Sequence, residues 1–158
     1  MKKLFTISTL IFAYCLTLNA AETLKANSHL KREIAGKVWN FEPAFKLGKE
    51  LNAAHGRLLL GSQETKREAQ KDIKRLERQF RPWMPFWVYG NKDTWHEGNL
   101  IIKQLDINTR YTGRLIAVKN LPTQYSQGVF WFYAQPVGKI RYGGKQITLF
   151  DYGKPVKE

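Results

Sequence analysis

The stretch from Ser62 to Tyr89 constrains this chain most, because its periodicity changes within a few residues. Ser62 to Phe80 is densely charged, and its apolar residues fall at helical spacing. Ala69, Ile73, Leu76 and Phe80 lie four, three and four apart, a narrow stripe on one helix face. Ser62 is a favourable N-cap, and Glu64 in the first turn complements the helix dipole. Pro82 stops the helix, since an interior proline removes a backbone hydrogen bond and clashes with the preceding turn. Beyond it the chain reads Trp83-Met84-Pro85-Phe86-Trp87-Val88-Tyr89, and fifteen of the 21 aromatic residues lie from Phe80 onward. Aromatic side chains suit the half-buried surface of strands. Helices first and strands second predict an α+β fold, with N-terminal helices packed on a mainly antiparallel C-terminal sheet, a meander of about five or six strands.

The helical part is expected over about 22–81. Glu22 to Ala35 reads as a polar helical lead-in with Leu30 and Ile34 on one face, ended by Gly36. Val38-Trp39-Asn40-Phe41 is a short aromatic connector, either an edge strand or a packed loop. A second helix is expected from Pro43 to Ala54, with Pro43 in the first turn and Gly56 as a left-handed cap. Arg57-Leu58-Leu59-Leu60 fits a buried strand or one more helical turn.

The β-rich part is expected over about 86–151. Strands are predicted at 86–89, 100–107, 111–119, 129–135, 139–142 and 146–151. Gly143-Gly144 between the last two is the strongest local signal, because two glycines supply the positive φ angles of a tight hairpin turn. Asn108-Thr109 and Gly138 mark softer reversals. In Val129-Phe130-Trp131-Phe132-Tyr133, alternation sends apolar groups to both faces, so the second face needs cover from the chain or from a partner.

Residues 1–20 have the form of a cleavable secretory signal. Lys2 and Lys3 precede the apolar run Leu4 to Leu16, and Leu18-Asn19-Ala20 or Asn19-Ala20-Ala21 offers a small-residue cleavage site. The apolar run is shorter than the roughly 20 residues that span a bilayer. Tyr14 is too bulky for a lipidation motif at Cys15. The expected address is periplasmic or secreted, with residues 21–158 forming a single domain without a transmembrane segment. Cys15, the only cysteine, leaves with the leader, so the mature chain has no disulfide. The chain carries a formal net charge of +13, of which Lys2 and Lys3 contribute two. That excess favours anionic partners: nucleic acid, lipid headgroups, wall polymers or an acidic protein.

Arg67, Lys71, Lys74 and Arg78 form a cationic ridge opposite the apolar stripe, and Trp83 and Trp87 follow it as stacking candidates. Against a dedicated anion site stand Glu64–Arg67, Glu68–Lys71, Asp72–Arg75 and Glu77–Arg81, all at helical pairing distance. Trp95-His96-Glu97, read as a loop, is the one place where a histidine, an acid and an aromatic meet. His96 could act as general acid–base, with Glu97 orienting it and Arg110 or Arg114 stabilising a developing anion. His29, His55 and His96 are too scattered for a metal site, and no nucleophile motif or phosphate loop is present, so neither metal nor cofactor is expected. The composite expectation is an exported, basic, non-catalytic accessory protein that docks on a protein or anionic component of the cell envelope. A small nuclease-like hydrolase using His96 is the alternative.

Overall fold

The computed structural model describes residues 30–106, 110–122 and 128–156. The expected signal, most of the lead-in and the Asn108-Thr109 reversal lie outside them. The described residues divide into two compact units, one of residues 40–85 and one of those before 40 and after 85. The class is α+β, with two helices and a mainly antiparallel six-stranded sheet. Among the described residues no helix is long and apolar enough to cross a membrane.

The first unit is a helical hairpin. Helix α1 spans Glu42–Leu60 and helix α2 spans Gln63–Phe80. The Asn40 side chain accepts from the Glu42 N–H at 3.0 Å and so satisfies one free donor at the start of α1. Contrary to the expected stop at His55-Gly56, α1 runs on through it, and Arg57 to Leu60 take the helical of their two expected forms. Leu47, Leu51 and Leu58 pack around Ala54 of the same helix and Ile73 and Leu76 of α2, and this burial outweighs the poor helix propensity of Gly56. The stop comes at Gly61, which is extended (φ −80°, ψ 167°). A Cβ there would sit 2.6 Å from the Arg57 carbonyl oxygen and 2.7 Å from Thr65 Cγ2, so glycine permits the tight passage into α2. After Phe80 a 3₁₀ segment, Arg81–Phe86, carries both prolines.

The second unit is built of strands. Residues 31–34 correct the expected helical lead-in: β1 (Lys31–Ile34) is a strand whose exposed Lys31 and Glu33 alternate with buried Arg32 and Ile34. That period of two was hidden because its inward residue is an arginine, which hydropathy scores as outward. β2 (Lys37–Asn40) follows through a two-residue turn at Ala35 (φ 50°) and Gly36 (φ 75°), so Gly36 makes a hairpin and caps no helix. β1 lies between β2 and β9 (Lys154–Pro155) in a three-stranded sheet.

The large sheet holds β3 (Trp87–His96), β4 (Asn99–Leu105), β5 (Tyr111–Lys119), β6 (Val129–Tyr133), β7 (Gln135–Tyr142) and β8 (Lys145–Asp151). Its order is β6-β3-β4-β5-β8-β7. Three strands make the expected meander, but β6 returns to pair with β3, and β8 runs parallel to β5. Three consecutive strands with a fourth beside the first make a Greek key. The edges β6 and β7 are separated in sequence by Ala134 alone, so the two margins of the sheet meet. Tyr133 faces Trp87 at the start of β3, whereas Gln135 faces Asp151 at the end of β8. Gly143 (φ 55°) and Gly144 (φ 78°) form the predicted turn. Gly138 lies inside β7 at a register irregularity and makes no reversal.

Both sheet faces are apolar. Val88, Leu100, Ile102, Ile116, Val118, Phe130, Phe132, Phe150 and Tyr152 belong to one core cluster. Ile101, Ala117 and Ile147 form a second, against which Leu115, Ile140, Tyr142 and Leu149 pack. The second face of β6 is covered within the chain at Tyr133, which is buried.

Candidate anion-binding surface

Helix α2 sets its cations by its own sequence. The Ser62 Oγ accepts from the Thr65 N–H at 3.3 Å and fixes the first turn. Ala69, Ile73 and Leu76 are buried, so the opposite side faces outward. Arg67, Lys71, Lys74 and Arg78 all lie on that side and are exposed. At 1.5 Å rise per residue the row is about 16 Å long. Arg67, Gln70, Lys71 and Lys74 line a shallow depression along it.

Of the four ion pairs the spacing allows within α2, only Asp72–Arg75 forms, at 3.1 Å. Asp72 also takes Arg57 of α1 at 2.9 Å, so the best-placed acid turns toward the neighbouring helix. Among the described residues no carboxylate pairs with Arg67, Lys71, Lys74 or Arg78. The expected charge matching therefore fails for the ridge. A salt bridge on an exposed helix gains only a few tenths of a kcal/mol, too little to hold long side chains against solvent. The two tryptophans do not extend the ridge. Trp83 meets Phe41 edge-on at 6.5 Å, and Trp87 stacks parallel on Tyr89 at 5.4 Å within β3.

The arginines of the hydrolase alternative lie far from its His96–Glu97 pair. His96 ends β3, and the expected loop is a hairpin whose turn, Glu97 (φ 49°) and Gly98 (φ 76°), joins it to Asn99. His96 Nε2 is 3.8 Å from Glu97 Oε1, and the imidazole meets the Tyr142 ring edge-on at 5.1 Å. Arg110 lies beyond the opposite end of β4, where Leu105 faces Tyr111, and pairs with Asp106 at 3.9 Å. Asn99 and Leu105 stand six residue steps apart on β4, about 20 Å at 3.4 Å per residue. Arg114 sits lower on β5 than Leu115, the partner of Lys103, and so remains several residues from the His96 turn. No arrangement of His96, Glu97, Arg110 and Arg114 around one reacting atom results.

Other charged features escaped the sequence reading. Lys103 Nζ meets Asp93 Oδ1 at 2.8 Å, and the hydrogen bond and charge of Asp93 raise the Lys103 ammonium above its ordinary range. Buried Asp151 accepts from Asn120 Nδ2 and the Gly153 N–H, each at 2.8 Å, and pairs with Lys119 at 3.2 Å. Arg32 is fully buried, donates to the Tyr133 carbonyl and lies over the Tyr152 ring, 3.8 Å from its centroid. Most of these partners are distant in sequence, so no local pattern marks them. Among the described residues no three His, Cys, Asp or Glu side chains gather as metal ligands would. No family model, no curated protein and no solved structure matches this chain.

Proposed function

We propose that this protein is an exported, non-catalytic binding protein that docks on an anionic partner in the cell envelope through the outer face of α2. The observation that carries the reading is the row Arg67, Lys71, Lys74 and Arg78, exposed and without ion-pair partners among the described residues. Four cations in one line attract a polyanion without first breaking internal pairs. The apolar side of the same helix is engaged with α1, so α2 offers charge and has no free apolar face to insert into a bilayer. The export part of the proposal rests on residues 1–20, and a mature chain starting at Ala21 or Glu22 in N-terminal sequencing supports it.

Retention on a heparin column tests the docking surface. Lys71→Glu/Lys74→Glu should elute at clearly lower salt than Lys37→Glu/Lys154→Glu, which makes the same change in net charge at exposed positions of β2 and β9. Equal elution of the two variants would leave only nonspecific charge and reject the ridge.

A further inference from the structure

A second cationic face arises from strand register. Lys139 faces Thr148 and Arg141 faces Gln146, so strand alternation puts Lys139 and Arg141 on one side of β7, opposite to Ile140 and Tyr142. Ile116 and Thr148 are parallel partners. Arg114 lies two residues before Ile116 and Gln146 two before Thr148, so the same register carries Arg114 to the far side of Gln146. Arg114, Lys139, Arg141 and Gln146 are all exposed. Among the described residues none of the three cations has a carboxylate partner. Four acids of this unit are taken elsewhere: Asp93 by Lys103, Asp106 by Arg110, Asp151 by Lys119 and Glu97 by His96.

We propose that Arg114, Lys139 and Arg141 form a second anion-binding face, built on β5, β8 and β7, that takes the backbone of a linear phosphodiester polymer. It uses none of the α2 residues, and its existence does not depend on the docking role of α2. The patch is open, with its cations on β5 and β7 to either side of Gln146 on β8, so a single small anion there would be screened by salt. A polyanion gains from each cation through release of its condensed counterions. Two arginines offer planar forks matched to phosphate oxygens, and the Gln146 amide between them adds a neutral donor. An acidic peptide would need apolar anchors for stable docking, and the positions between the cations, Gln146 and Thr148, supply none. No aromatic side chain shares these register positions, so bases would not be stacked. Binding should therefore ignore base sequence.

The test is fluorescence anisotropy of the purified protein with a labelled 20-mer of oligo-dT and with an abasic deoxyribose-phosphate 20-mer, across a salt series. Both should bind within about twofold of one another. Arg114→Gln/Arg141→Gln should weaken both at least threefold at low salt. It should also flatten the log–log salt slope by about 1.4, at 0.7 per lost phosphate contact on a single strand. An unchanged slope in that variant, with an unchanged circular dichroism spectrum, overturns the site. Loss of abasic binding alone shows that bases carry the contact and also overturns it. Polyglutamate and phosphatidylglycerol vesicles serve as competitors: if either displaces the oligonucleotide at equal charge concentration, the phosphodiester assignment fails. Lys71→Gln/Lys74→Gln separates this inference from the α2 reading. A slope that responds to the β-face variant and not to the α2 variant retains this site and refutes the ridge, and the converse does the reverse.

Discussion

Replacing Arg32 should be among the most damaging single changes in the strand unit. Its guanidinium is withdrawn from water, donates to the Tyr133 carbonyl and covers the Tyr152 ring at 3.8 Å. It therefore joins β1 to the end of β6 and to the residue following β8. A desolvated cation–π contact contributes about 2 kcal/mol, and a hydrogen bond from a charged donor about 1.5–3 kcal/mol. Arg32→Ala loses both and leaves a void, so a cost of about 4 kcal/mol is expected, a large share of the 5–15 kcal/mol that holds a typical domain together. Arg32→Met separates volume from charge. It fills most of the space, removes the need to bury a cation and still loses the donor to Tyr133. Since apolar replacement of a buried ion is often nearly neutral, it should cost at least about 2 kcal/mol less than the alanine variant. Arg32→Lys should not restore stability, because a compact ammonium cannot cover the ring and reach the same carbonyl with a planar fork. Urea unfolding followed by tryptophan fluorescence gives the midpoint and slope for each variant. If Arg32→Ala costs under about 1 kcal/mol, or Arg32→Met costs as much as Arg32→Ala, the claim that this buried cation stabilises the joint is wrong.

Other perturbations follow from the same geometry. Gly153 adopts φ 79°, and a Cβ there would lie 2.5 Å from Ile34 Cγ1 and 2.7 Å from the Glu33 carbonyl oxygen; Gly153→Ala should lower stability by about 2 kcal/mol or more in urea, because strain and overlap combine. Asp151→Asn puts an amide where three donors converge and should cost about 3 kcal/mol, while Asn120→Ala, which removes one donor, should cost less. Burial holds the Tyr133 phenol above its ordinary range, so above about pH 10 the unfolded chain loses that proton first and stability falls by up to about 1.4 kcal/mol per pH unit. Tyr133→Phe should flatten that alkaline decline, and an unchanged decline in thermal melts at pH 9–11 would show that other groups govern it.

How much of this was legible beforehand depends on how local each cause is. The α2 stripe, its Ser62 cap and the ridge opposite it are properties of 18 consecutive residues, and the structure keeps them. Gly143-Gly144 announced its hairpin because glycine takes positive φ at little cost. The turns at Ala35-Gly36 and Glu97-Gly98 use a non-glycine residue at positive φ, which disguised them, so His96 was read as part of a loop. The extension of α1 past Gly56 needs the contact of Leu58 with α2, and β1 carries no apolar alternation in its sequence because one of its inward residues is Arg32.

The sequence by itself determined the α+β class, with the helical hairpin placed ahead of the six-stranded sheet, since hydrophobic period and proline placement act over a few residues. It also set which α2 residues face outward. Only the tertiary structure decided which charges remain unpaired. Asp72 turns to Arg57 across the helical hairpin, and Ser62 to Arg81 carry four acids among seven bases that look matched on paper. Strand order was likewise undetermined by local pattern, because pairing β5 parallel to β8 and returning β6 to β3 depends on contacts between residues far apart in sequence. The registers of β3, β4 and β5 separate His96 from Arg110 by the length of a strand, and those of β5, β8 and β7 set Arg114 in line with Gln146 and Arg141.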